Sequence, residues 1–222
     1  DVVPFALSLL PAEIRERTEV IQQCRPEDIE TVRTIYRTNG VHAHLSPFFS
    51  DIDAKLADCH LFIGRAGAST IAELTIVGRP AILIPLPIAT DDHQTANCQE
   101  MVNAGAAKMI KQPRSDFSDT RGTSRSENIQ SSHIVDERDK FTNKVVEEIQ
   151  KMILSHGALT EAAHASWNCG RPNAASDLAD LLESFGGADM MDIIKLRKTN
   201  KKESRQLAPK QARTAYRAKG SF

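Results

Sequence analysis

Short apolar runs alternate with helix-length segments of mixed polarity between Val41 and Ile110, and no other feature constrains the fold as strongly. Parallel strands need long crossover connections, which helices usually supply, so this order predicts a parallel sheet flanked by helices. The predicted strands are 41–45, 61–63, 81–84 and 107–110, and the predicted helices between them are 52–58, 70–77 and 93–103. The predicted fold class is therefore α/β, with a Rossmann-like parallel sheet.

The flanking segments extend this domain. In front of it we predict helices at 11–17 and 26–39 with a short strand at 20–24 between them; behind it, apolar residues at positions 141, 145, 149 and 153 predict a helix, and 174–185 predicts another. Residues 114–136 are rich in Ser, Arg, Asp and Thr without apolar periodicity, which predicts a disordered insertion. The expected domain thus comprises 1–113 and 137–187, followed by a basic tail at 188–222.

Composition limits the class of protein. The chain is 41% hydrophobic and 26% charged with a net charge of −1, and it contains no apolar run of roughly 18 residues, so we expect no membrane span and no general affinity for nucleic acid. Without a signal peptide or an initial Met, the chain is expected to be cytoplasmic and a fragment. The four cysteines form no C-x-x-C pair, which favours reduced thiols over disulfides or a metal site: Cys24, Cys59, Cys98 and Cys169.

The segment after the 61–63 strand carries the first candidate site. A turn containing Arg65 and Gly67 leads into a helix whose start we place at Thr70, because Glu73 follows at capping-box spacing. A helix start at the carboxyl end of a parallel strand presents unpaired N–H groups that suit a phosphate, and Arg65 adds positive charge. The alternative is an ordinary strand-to-helix turn, since such turns often contain glycine.

A second candidate cluster opens the next helix. Asp91, Gln94 and Asn97 recur at helical spacing near one face, beside the carboxyl end of the 81–84 strand. Amides and carboxylates can read hydroxyl groups, since amides both donate and accept hydrogen bonds. An ordinary solvated helix start remains the alternative.

Several motifs in order resemble one family, the glycosyltransferase family 28 enzymes that transfer N-acetylglucosamine in peptidoglycan synthesis. The motifs are Gly64-Arg65-Ala66-Gly67-Ala68-Ser69-Thr70-Ile71-Ala72-Glu73, Gly78-Arg79-Pro80-Ala81-Ile82-Leu83-Ile84-Pro85, Asp92-His93-Gln94-x-x-Asn97 and Ala104-Gly105-Ala106-Ala107. The resemblance covers residues 1–113 and resumes weakly through 137–186. The loop 90–93 is one residue longer than in some relatives, which leaves the alignment of His93 open.

The resemblance implies the C-terminal domain of a GT-B glycosyltransferase that binds UDP-N-acetylglucosamine without a cofactor or metal. It implies that the main chain at Phe49 reads uracil, that Glu73 binds the ribose, and that Gln94, with His93 and Asn97, meets the sugar. The diphosphate is expected at the helix start with Arg65 and Gly67 nearby, at Ala68, Ser69, Thr70, Ile71 and Ala72.

The same resemblance implies an incomplete enzyme. The family's N-terminal domain, which supplies the candidate catalytic base and contacts the lipid-linked muramoyl-pentapeptide acceptor and the cytoplasmic face of the bacterial inner membrane, is expected outside this chain. We therefore assign no catalytic residue here and expect weak donor binding and little or no transfer. Two alternatives stay open: a UDP-sugar epimerase, and a non-catalytic module whose basic tail contacts anionic lipid or nucleic acid.

Overall fold

The computed structural model describes residues 2–87, 93–113 and 130–184. The elements follow one another in this order: α1 (Val2–Ser8), α2 (Ala12–Arg15), β1 (Glu19–Gln23), α3 (Ile29–Thr38), β2 (His42–Ser46), α4 (Ile52–Asp58), β3 (Phe62–Gly64), α5 (Ala68–Val77), β4 (Ala81–Leu83), α6 (His93–Asn103), β5 (Ala107–Met109), α7 (Gln130–Leu154), α8 (Ala158–Cys169) and α9 (Ala174–Ser184).

The strands are parallel, as predicted, and they form two hydrogen-bonded groups where the sequence predicted one sheet. Strands β1 and β2 pair with Glu19 opposite His42, and β3, β4 and β5 form a three-stranded sheet with β4 in the centre. Buried side chains from both groups enter one apolar core, which includes Leu45 of β2, Ile82 of β4 and Val145 of α7. The predicted α/β class with helices around parallel strands is confirmed.

Helices α5 and α8 pack closely at the end of α5. Gly78 ends α5 in the left-handed conformation with φ of 65°, and a Cβ at this position would lie 3.2 Å from the Cβ of Trp167 in α8. The buried Ser166 hydroxyl donates to the carbonyl of Leu74 at 3.3 Å. Helix α8 therefore packs against the carboxyl-terminal part of α5. This contact helps to position α5, whose start forms the candidate site.

The structure differs from several of the other sequence predictions. Helices α1 and α8 were not predicted, and α7 begins at Gln130, seven residues inside the predicted insertion. The rest of that insertion, 114–129, and the predicted basic tail lie outside the described residues. In the described ranges, no helix is both long and apolar enough to cross a bilayer.

Candidate functional site

The carboxyl ends of three strands bring the candidate residues to one edge of the sheet. Gly64, the last residue of β3, is in register with Leu83 of β4, and Leu83 is in register with Met109 of β5. The chain segments that follow these residues must leave the sheet side by side. Ligands of parallel α/β sheets bind at this edge.

The start of α5 offers unpaired main-chain donors. Gly67 is the N-cap in an extended conformation, and the first helical hydrogen bond runs from the Ile71 amide to the Gly67 carbonyl at 3.0 Å. No acceptor among the described residues engages the N–H groups of Ala68, Ser69 or Thr70. These donors lie at the positive end of the helix dipole and suit an anion such as a diphosphate.

The predicted capping box is wrong. Because Gly67 takes the N-cap position, Thr70 is the third residue of the helix, and no side chain caps the helix start. Glu73 lies one turn beyond Ser69 on the same face and is exposed, as is Ala72, whereas Ile71 is half-buried. The Glu73 carboxylate is therefore free to meet a group bound above the helix start.

The Arg65 side chain forms hydrogen bonds with other residues of the chain. Its Nη1 donates to the carbonyls of Ile84 at 3.1 Å and Pro85 at 3.2 Å, and its Nη2 donates to Oε1 of Gln112 at 2.9 Å. Partial burial lowers the pKa of the Arg65 guanidinium, which nonetheless stays charged at neutral pH. Arg65 thus joins the segments that follow β4 and β5, and its charge lies close to the predicted anion site.

Two of the predicted sugar-binding side chains form hydrogen bonds with main-chain groups. The Leu86 amide donates to Oε1 of Gln94 at 3.0 Å, and Nδ2 of Asn97 donates to the carbonyl of Ala66 at 3.1 Å. His93, the first residue of α6, is exposed. Asp91, the remaining member of the predicted hydroxyl-reading set, lies outside the described residues.

Phe49 lies in the loop between β2 and α4. Its side chain is buried, contacts His44 edge to face at 5.5 Å between ring centroids, and lies 5.1 Å below Nζ of Lys55. These contacts fix the loop, while no hydrogen bond to a described residue engages the Phe49 N–H or carbonyl. Helix α4, which begins after this loop, packs against α5, the helix that carries Glu73.

A cavity of about 510 Å³ lies elsewhere, at the opposite edge of the sheet. It is lined by Gly105 and Ala107 at the beginning of β5 and by Glu148, Lys151 and Met152 of α7. It contains none of the unpaired main-chain donors described above. The unpaired main-chain donors at the carboxyl edge define the candidate site.

Sequence reasoning missed two contributions to this edge. One is Gln112, which follows β5 and reaches Arg65; the other is the 84–86 segment, which supplies main-chain partners to Arg65 and Gln94. Their positions at or shortly after the ends of predicted strands were a usable signal, because residues at the carboxyl ends of parallel strands share one edge. Among the described residues, no group of His, Cys, Asp and Glu could hold a metal ion.

Known proteins share both the sequence and the fold. Residues 2–119 match the glycosyltransferase family 28 C-terminal domain. The chain is 52% identical over 206 residues to the UDP-N-acetylglucosamine--N-acetylmuramyl-(pentapeptide) pyrophosphoryl-undecaprenol N-acetylglucosamine transferase of Erythrobacter litoralis, covering 92% of this chain and 45% of the relative. The protein of the same name from Novosphingobium aromaticivorans is 50% identical over 200 residues, covering 90% of this chain and 45% of that protein.

A solved structure agrees with these sequence matches. The crystal structure of MurG from Acinetobacter baumannii superposes with a TM-score of 0.61 at 26% identity, covering 82% of this chain and 44% of that one. The chain thus spans somewhat less than half the length of the relatives that it matches.

Proposed function

The chain belongs to glycosyltransferase family 28, as its C-terminal domain, and we propose that it is the donor-binding half of an inverting hexosyltransferase. The proposed donor is UDP-N-acetylglucosamine, and the proposed acceptor is undecaprenyl-pyrophosphoryl-muramoyl-pentapeptide, as the names of the relatives indicate. The observation that carries the proposal is the row of unpaired N–H groups at Ala68, Ser69 and Thr70, at the carboxyl edge of a parallel sheet.

The nucleotide half of the donor fits the main chain. A diphosphate at the start of α5 accepts hydrogen bonds from the three free N–H groups and gains from the helix dipole. Glu73 then accepts from the ribose hydroxyls, one helical turn further on. The free N–H and carbonyl of Phe49 match the edge of uracil, which presents an acceptor and a donor side by side.

Residues at the start of α6 bind the sugar half of the donor in the proposed site. The Oε1 atom of Gln94 is bound to the Leu86 amide, so the Nε2 group is the part of this side chain that donates to a sugar hydroxyl. His93 is exposed beside it. Asn97 is bound to Ala66, and we assign it to support of the site.

Transfer requires a second half. In the proposed reaction the acceptor hydroxyl attacks C1 of the sugar, the C1–O bond to UDP breaks, and a base takes the hydroxyl proton. We assign no base to the described residues and propose that it comes from the other half of the enzyme, which also meets the lipid acceptor. The proposed location is the cytoplasmic face of the inner membrane, in peripheral contact with it.

Calorimetric titration with UDP-N-acetylglucosamine tests the donor site. Glu73→Ala should weaken binding by about 1–3 kcal/mol, the range for buried hydroxyl groups that are left without a hydrogen-bond partner. Glu100→Ala is the matched control, because Glu100 is also exposed on a helix but lies in α6, away from its start. The control should bind like the wild type, and both variants should unfold at the wild-type urea concentration.

Three outcomes would contradict parts of the proposed function. Equal affinity of the wild type and Glu73→Ala would remove Glu73 from the site. Absence of any UDP-sugar binding would contradict the donor-binding proposal for this chain. Conversion of UDP-N-acetylglucosamine to an epimer by the chain alone would replace the transferase with a UDP-sugar epimerase.

A further inference from the structure

The guanidinium of Arg65 is held at both of its terminal nitrogens. Nη1 is shared between the carbonyls of Ile84 and Pro85, and Nη2 donates to Gln112. A planar guanidinium has a fixed fork of donors, so an acceptor at each nitrogen fixes both the position and the rotation of the group. Gln112 supplies the acceptor that Nη2 uses, and it does so from a segment 47 residues away along the chain.

Further hydrogen bonds close a circuit around Arg65. The Leu86 amide follows the two carbonyls that Arg65 binds, and it donates to Oε1 of Gln94. One turn along α6, Asn97 donates to the carbonyl of Ala66, the residue next to Arg65. We call this set the Arg65 network; its members are Arg65, Ala66, Ile84, Pro85, Leu86, Gln94, Asn97 and Gln112.

The network determines which atom of Gln94 faces the site. Because its partner is the N–H group of Leu86, the Gln94 side chain must turn its oxygen toward that amide. Its Nε2 group is thereby directed elsewhere. The orientation of Gln94 depends on the position of Leu86, which adjoins the carbonyls that Arg65 holds, and the orientation of Arg65 depends on Gln112.

We propose that Gln112, acting through Arg65, is a positioning residue that sets the sugar selectivity of the donor site. This inference rests on the proposed donor-binding function, in which Gln94 meets the sugar. Gln112 itself touches no substrate. We expect its loss to leave the donors at the start of α5 available, because no hydrogen bond of the network involves the N–H groups of Ala68, Ser69 or Thr70.

The binding test compares UDP, UDP-N-acetylglucosamine and its C4 epimer UDP-N-acetylgalactosamine by calorimetry. In Gln112→Ala, we expect the affinity for UDP-N-acetylglucosamine to fall about fivefold and the preference over the epimer to shrink by a similar factor, as for one lost hydrogen bond. The affinity for UDP should stay within about twofold, since UDP lacks the sugar. Gln112→Glu should restore the preference, because a carboxylate also accepts from the guanidinium.

A double-variant cycle tests whether Gln112 acts through Arg65. Lysine is a point charge and cannot reproduce the fork, so Arg65→Lys should reduce the sugar preference by itself. Adding Gln112→Ala to Arg65→Lys should then have little further effect. Independent, additive losses would overturn the proposal, as would a Gln112→Glu variant that binds as poorly as Gln112→Ala. A loss of UDP affinity in Arg65→Lys equal to the loss of UDP-sugar affinity would place Arg65 on the diphosphate instead.

Hydrogen exchange of the ligand-free chain keeps this inference separate from the proposed function. Gln112→Ala and Arg65→Lys should each speed exchange at the Leu86 amide, while the amide of Val145 in the core stays protected and so reports that the fold is intact. Unchanged exchange at Leu86 would overturn the inference whatever the binding data show. Faster exchange in a chain that binds no UDP-sugar would instead refute the proposed donor site, and the role in selectivity with it.

Discussion

The contact between α5 and α8 can be tested at Gly78. This residue adopts φ of 65°, and a Cβ there would lie 3.2 Å from the Cβ of Trp167 and 3.3 Å from the carbonyl oxygen of Ala163. Both neighbours belong to α8, and one is main chain, so neither can move without shifting the helix. Gly40 is a matched control, because its φ is 68° and a Cβ there would meet nothing within 4 Å.

The expected magnitudes follow from these two environments. Alanine in the left-handed conformation costs roughly 1–2 kcal/mol at either position. Replacing glycine also reduces the entropy of the unfolded chain by a similar amount in both variants, so this contribution cancels in the comparison. The tight contacts with α8 should add about 1–3 kcal/mol at Gly78 alone, as in overpacked interiors.

Urea unfolding measures the difference. Gly78→Ala should unfold at a clearly lower urea concentration than Gly40→Ala, which in turn should lie below the wild type. Equal midpoints for the two variants would show that α8 does not pack against the end of α5 as described. Donor binding by Gly40→Ala should match that of the wild type, because Gly40 precedes β2, at the end of that strand opposite the Phe49 loop.

Two further predictions concern titratable groups whose pKa values are raised. The Tyr36 hydroxyl donates to Oε1 of Gln22 at 2.6 Å, and burial raises the pKa of this phenol. The unfolded chain therefore loses this proton first as the pH rises, so the free energy of unfolding should fall from about pH 10 upward. Tyr36→Phe should lower the free energy of unfolding by about 1 kcal/mol at pH 7 and remove part of that fall at alkaline pH. Urea unfolding at several pH values would measure both effects. Partial or full burial also raises the pKa of three thiols. At pH 7 a disulfide reagent should therefore modify them at least about tenfold more slowly in the native than in the unfolded chain, and equally fast labelling of both would contradict their shielding from solvent. These thiols belong to Cys24, Cys59 and Cys169.

The central elements were predictable because their local signals agree. Helices α4 and α6 have the predicted bounds, and each strand of the sheet lies within one residue of its prediction at either end. Helix α8 was missed because its sequence, Ala-Leu-Thr-Glu-Ala-Ala-His-Ala-Ser-Trp-Asn-Cys, has many small residues and no extended apolar stripe. Small residues suit its close approach to Gly78, a tertiary contact that periodicity cannot report.

The candidate site was predictable in location and less so in detail. Topology alone places the segments after β3, β4 and β5 at one edge, so Arg65, Gln112 and the residues that follow Leu83 had to lie near one another. Spacing along the chain does not show which groups a side chain binds through its hydrogen bonds in the folded protein. Arg65 and Asn97 bind main-chain carbonyls, contacts that span 19 and 31 residues, respectively, and no local pattern marks them.

The proposed role of the main chain accounts for the small residues that surround the helix start in the motif from Gly64 to Glu73. Gly67, Ala68 and Ala72 offer little beyond small size, and small size exposes the N–H groups at the start of α5 to a ligand. In the proposed site, the main chain recognises the diphosphate and uracil, whereas side chains recognise hydroxyl groups through Glu73 and Gln94. A larger residue at Ala68 should therefore weaken binding of UDP and of the UDP-sugar equally, while Gln112→Ala in the Arg65 network should mainly affect binding of the sugar.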